Sequence, residues 1–229
     1  MSEASAAGLV SALETAAEPA ELPKVRSRLA PDEPAFGLRM RVLFDTAKAH
    51  TDLPLDEVER LLDHPAYEPR MAAFCILDFK ARRRIDEETH RSLHDFYLAR
   101  HDRITTWDMV DRSAPRVVGG YLVGRDLRVL HALAGSAEPL RRRTSITAPL
   151  SIVWSGSDEE VAECFGIAAA LADDPDPVVH KPVGIFLKYA GQRDPAPLLD
   201  FLDAHAARMP RPAVRLATEK LDAAVRRRY

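Results

Sequence analysis

Trp107 and Asp111 stand four residues apart in ITTWDMVDRSAPRVVGGYL (104–122). On a helix that spacing puts an indole and a carboxylate on one face. An electron-rich ring beside a negative charge can stabilise positive charge held against both. The adjacent Asp108 has Arg112 one turn on, which predicts a surface ion pair between them. Asp111 has Pro115 at the same offset, so its charge is expected to lack a helical cation and to answer an external one.

The second group is basic. Arg141, Arg142 and Arg143 open a helix, and Lys181 and Lys188 are seven apart on one face, close to Arg193. Arg82, Arg83, Arg84, Arg100 and Arg103 add to the supply. Such clusters, recurring near the starts of similar segments, could form a stripe that neutralises phosphates. The run Arg226–Arg228 reads as a frayed tail.

Other chemistries find no support. His90 and His94 are four apart, but Arg91 stands where a zinc-protease helix needs glutamate, so no metal is expected. There is no GxSxG, P-loop or GxGxxG, and the Gly119-Gly120 pair follows a helix where a phosphate loop would open one. Cys75 sits in an apolar stretch, where a thiol is inert.

The elements that must position these residues are helices. In 229 residues, 46 % are hydrophobic but only 7 % aromatic, so the apolar content falls on Ala, Leu and Val. Hairpin signals are missing. Leu55, Val58, Leu61 and Leu62 form one apolar stripe, Met71, Phe74, Cys75 and Leu77 the inner face of a second helix, and Leu198, Leu199 and Leu202 a third. Prolines at 54, 65, 139, 175, 177, 195, 210 and 212 separate the segments and read mostly as helix starts. The formal net charge of −3 restricts any DNA site to a local basic patch. Two distant cysteines, Cys75 and Cys164, fit a reducing compartment. With no leader-like N-terminus and no long apolar run, the expectation is a soluble cytoplasmic protein.

LLDHPAYEPRMAAFCIL (61–77), LAGSAEPLRRRTSITAPL (133–150) and LADDPDPVVHKPVGIFLK (171–188) share a plan. Each leaves an apolar helix at Leu, crosses a short Asp/Pro/Ser turn, meets a basic residue and enters another helix. A period of about 40 residues, one helix pair, marks a HEAT-like solenoid. The predicted architecture is an all-α superhelix forming a single domain over 1–229, with 1–30 a capping or flexible segment and a concave face that offers a long binding surface.

Four stretches, HPAYEPRMAAFCIL (64–77), TTWDMVD (105–111), LRRRTSI (140–146) and KPVGIFLKYAGQRDPAPLLDFL (181–202), give the chain a resemblance to the DNA alkylation repair family, the HEAT-like-repeat alkylpurine glycosylases. It runs from about Phe36 to the C-terminus. The resemblance implies a monomeric DNA glycosylase of base excision repair. It would hold duplex DNA on a basic concave face and release cationic N3- or N7-alkylated purines without cofactor or metal. It implies Asp111 as the catalytic carboxylate, Trp107 as the ring against the sugar and Arg143 as the site arginine. Arg142, Lys181, Lys188 and Arg193 would contact DNA, with Ile185 facing the lesion. The family places a tryptophan where Ile185 stands, and another expected near Leu140 is also missing. Loss of two indoles would widen the cleft, as suits a bulky adduct or a member that binds DNA without excising bases. That non-catalytic DNA-structure binder stays open as an alternative, as does a HEAT-repeat protein adaptor.

Overall fold

The structure, a computed structural model, describes residues 5–229, so the first four residues of the expected 1–30 segment lie outside the description. The described chain is helical throughout and contains no strand. It packs as two compact units, the first ending at Ser113 and the second running Ala114–Tyr229.

The first unit contains α1 (Ala6–Thr15), α2 (Leu22–Arg26), α3 (Met40–Ala49), α4 (Leu55–Leu62), α5 (Tyr67–Ala81), α6 (Glu87–Ala99) and most of α7 (Trp107–Ala114). Helix α5 is its centre. It packs on α1, α3, α4 and α6, and every residue from Tyr67 to Asp78 except Arg70 is buried. The expected inner face is therefore a buried cylinder. A helix apolar on nearly all sides belongs in the middle of a core, and periodicity alone does not distinguish the two cases.

The second unit begins with a π-helical turn, Pro115–Gly119. There follow α8 (Gly120–Leu122), α9 (Arg128–Ala134), α10 (Pro139–Thr147), α11 (Pro149–Ser155), α12 (Asp158–Ala170), α13 (Pro177–Arg193), α14 (Pro195–His205), α15 (Arg211–Ala217) and α16 (Ala223–Arg226). Two rows of helices form here. Helices α9, α12 and α14 touch in succession, and α10, α13 and α15 do the same beside them. That is the helix-pair stacking of a repeat array. Close approach is bought with glycine: a Cβ on Gly184 would sit 2.4 Å from the Ala213 carbonyl oxygen of α15. One on Gly119 would sit 1.8 Å from the carbonyl oxygen of Ala148.

The repeat read from sequence is the turn between the two helices of a pair. Second helices begin at residues 67, 107, 139, 177 and 211, so the plan occurs five times where three copies are legible in sequence. Prolines act as starts, as expected: Pro139, Pro177 and Pro195 are first residues of α10, α13 and α14. The exception is Pro182 inside α13, which offers no N–H to the Val178 carbonyl four residues before it. The C-terminus is not frayed. Arg211 donates to the Tyr229 carbonyl (3.0 Å), while Arg228 and the Tyr229 hydroxyl both reach Asp203.

Candidate functional site

Helix α7 sorts its side chains onto two faces. Asp108 turns inward, 7 % exposed, and accepts hydrogen bonds from the Tyr67 hydroxyl (2.7 Å) and Thr106 Oγ1 (2.5 Å), with Arg28 at 3.4 Å. One turn on, Arg112 pairs with the fully buried Asp78 at 3.0 Å, and its guanidinium lies 4.5 Å from the ring centre of Phe44 and 4.6 Å from that of Phe79. Both partners, Tyr67 and Asp78, belong to α5. The surface pair expected between Asp108 and Arg112 is thus corrected. Each side chain satisfies a different buried polar group of α5, where leaving either group unanswered would cost more than a surface pair returns. Burial and the Asp108 carboxylate push the Tyr67 phenol far above its ordinary range, so it stays protonated and donates.

Pinned on that face, α7 presents the residues about 100° round. Trp107 is its first residue, 42 % exposed, and Asp111 lies half-buried one turn later. Both are engaged within the folded chain. Asp111 therefore does not lack a partner, which corrects the expectation drawn from Pro115. A half-buried carboxylate in a folded protein can find partners beyond its own helix, which offsets along one helix do not reveal.

In the second unit the basic residues are largely occupied. Arg142 makes a bidentate pair with Asp174, Nε at 2.6 Å and Nη2 at 3.0 Å, and donates to the carbonyls of Ser136 and Ala137. Arg143 is 5 % exposed and donates to the Val178 carbonyl. That is the oxygen Pro182 leaves without its helical donor. Arg193 donates to the carbonyls of Val153 (2.8 Å) and Gly156 (2.9 Å) and pairs with Asp158 (2.6 Å). Lys188 reaches Glu219 at 3.4 Å and lies 5.0 Å from the Tyr189 ring centre. Lys181 is exposed, and Ile185 is half-buried one turn along the same face of α13.

Sequence reasoning does not single out Trp154. It is 60 % exposed at the end of α11, with its ring 6.1 Å from that of Tyr189 and edge-on to it. In SIVWSG it follows an apolar run and reads as core. Both tryptophans of the chain are thus exposed. Among the described residues no group of three or more His, Cys, Asp or Glu could hold a metal, and no helix is long and apolar enough to cross a membrane. Both cysteines are free and buried, and burial pushes each thiol up to about 12.

The stacked helix pairs of the second unit mark a helical-repeat protein, and in the first unit α7 carries an exposed indole and a half-buried carboxylate as candidate contact residues. A family model described as DNA alkylation repair enzyme matches residues 9–221, and the chain belongs to that family. Among solved structures, it is similar to a predicted DNA alkylation repair enzyme from Enterococcus faecalis, with a TM-score of 0.68 and 13 % identity. The match covers 90 % of this chain and 97 % of that one. At that identity the likeness establishes the fold. No curated protein matches the chain.

Proposed function

We propose that the protein is a DNA glycosylase that hydrolyses the N-glycosidic bond of cationic N3- or N7-alkylated purines in duplex DNA. The observation that carries this reading is the outward pair on α7: Trp107 exposed, with Asp111 one turn on, on a helix whose other face is pinned to α5. Membership of a DNA alkylation repair family supplies the substrate class.

A purine alkylated at N3 or N7 is positively charged and already a good leaving group. Nothing need protonate it. The barrier lies in the sugar, which becomes cationic as the bond breaks. Asp111 would set its charge beside that sugar and orient the attacking water. At about 4 Å and an effective dielectric of ~20 the attraction is roughly 4 kcal/mol. That is on the order of a thousandfold in rate. Trp107 would lay its ring against the deoxyribose and share in stabilising the cation. Rigid attachment of α7 to α5 matters here, because a charge that must first be oriented stabilises less.

The arginines take another role in this reading. A guanidinium as buried as Arg143, with one arm on the Val178 carbonyl, has little left for a phosphate. It contributes by fixing α13, which carries Lys181, Ile185 and Lys188. Lys181 is the side chain of that helix best placed for a phosphate, being exposed. The experiment is release of free base from duplex DNA methylated at purine nitrogens. No release above the spontaneous rate, with DNA still bound, would turn the reading to the non-catalytic binder that Ile185 also suits.

A further inference from the structure

Trp154 has no role in the chemistry assigned to Asp111 and Trp107, yet its surroundings fix it in place. The indole sits on the last turn of α11, flanked by the two carbonyls, Val153 and Gly156, that the Arg193 guanidinium holds. Asp158 anchors the far side of the same guanidinium. The turn closes tightly, because a Cβ at Gly156 would lie 2.7 Å from Ile152 Cγ2 and 2.9 Å from the Ile152 carbonyl oxygen. So the helix end that would normally fray is fastened to α13.

The ring it carries is 60 % exposed. Tryptophan is among the most buried residues on average, and covering so large an apolar ring is favourable. Leaving it open on a fastened turn calls for an occupant. Its neighbours state which kind. Tyr189 meets it edge-on, and the Lys188 ammonium lies 5.0 Å from the Tyr189 ring centre. Tyr189 is one helical turn beyond Ile185 and two beyond the exposed Lys181, so these three share a strip of aromatic, aliphatic and cationic surface, while Lys188 beside them is held by Glu219. A ring beside an exposed lysine suits the backbone of a duplex: the ring can cover a sugar while the cation takes a phosphate.

The geometry points to Trp154, backed by Tyr189, as a ring that packs on a deoxyribose of the bound duplex, with Arg193 as its positioning residue. This rests on the reading of the protein as a DNA binder and adds a specific contact to it. A sugar carries no sequence information, so the contact would add affinity without choosing a base.

The test uses two variants of the full chain. With Trp154→Ala, affinity for a short undamaged duplex should fall about fivefold, as loss of one ring packed on a sugar predicts. The dependence of affinity on salt should stay as in wild type, since no phosphate contact is removed. Trp154→Phe should recover part of the loss, and all proteins should melt alike. In Trp107→Phe, Trp154 is the one indole left, so its emission reports directly. Adding duplex should quench it saturably and shield it from acrylamide. Wild-type binding of DNA with unchanged affinity in Trp154→Ala would overturn the inference alone. So would a fall in salt dependence alongside the affinity, which would mean lost phosphate contacts. A wild-type protein that binds no DNA would overturn it together with the reading beneath it. An indole shielded only by an acidic peptide, and not by duplex, would make the strip a protein-docking surface and equally overturn the inference. Should Trp107→Phe weaken binding by itself, the Ala and Phe variants at 154 decide.

Discussion

Arg142 in the first turn of α10 and Asp174 in the loop before α13 form a bidentate ion pair that joins one helix pair to the next. Asp174 is nearly inaccessible, with 2 % of its side chain exposed, and also accepts from the backbone N–H of Asp176. The same device recurs. Arg208, before α15, pairs with Asp173, and in the first unit Arg100 and Arg103 both reach Asp63 in the loop before α5. The aspartate of one inter-helix turn thus meets an arginine near the corresponding turn of its neighbour.

Removing one member of a buried pair leaves the other desolvated without compensation. Asp174→Ala is therefore expected to lower stability by about 3 kcal/mol, and Arg142→Ala by a similar amount. The double variant should lose less than the sum, since neither charge is then left behind. Urea unfolding of the three proteins measures this. Additive losses would mean the two side chains do not act as a pair.

Asp111→Asn keeps shape and removes charge. Base release from methylated duplex is expected to fall about a thousandfold, in line with ~4 kcal/mol of lost charge stabilisation. Binding of undamaged DNA should stay within a few-fold. Single-turnover release and a binding titration check both. Unchanged release would take Asp111 out of the mechanism, while a collapse in melting temperature would make it a structural carboxylate.

Ile185 lies half-buried, one turn from the exposed Lys181. Ile185→Trp is expected to keep or improve release of small N3-methyladenine and to slow release of large N3-alkylated adenines. An added indole gains contact with a small lesion and collides with a large one. Excision rates for the two substrates, with folding checked by melting, decide it. Equal effects on both would place residue 185 away from the lesion.

Burial raises both Cys75 and Cys164 to about 12, from a usual value near 9. Between those values the folded chain keeps a proton that the unfolded chain releases. Stability is complete below about pH 9 and is lost as pH rises toward 12. Neither thiol should react with a disulfide reagent near neutral pH until denaturant is added. Cys164→Ala should lose less stability than wild type between pH 8 and 10. Rapid thiol reaction in the native protein would contradict the burial.

The turns were legible in sequence because they carry proline and aspartate. The 61–77, 133–150 and 171–188 copies match the junctions α4–α5, α9–α10 and α12–α13. The α6–α7 junction escapes notice because RHDRITT uses a short 3-10 turn, His101–Arg103, without proline. Charges were harder to read. A sequence shows that Arg142 and Arg193 are basic, and their commitment appears only when Asp174 and Asp158, 32 and 35 residues away, fold against them. That Trp107 and Asp111 share α7 is legible because a four-residue spacing is local to one helix. The inward pair Asp108 and Arg112 was misassigned for the same reason, since their partners lie on α5.

Pro182 and Arg143 are complementary. The proline strips the Val178 carbonyl of its donor, and the guanidinium from α10 replaces it. Changing Arg143 alone leaves the half-buried Val178 carbonyl without that donor. Changing Pro182 alone restores a helical N–H to that oxygen, which can accept both donors, so Arg143 is no longer its sole partner. A change at 182, 39 residues away in the chain and on a different helix, therefore makes a change at Arg143 less costly.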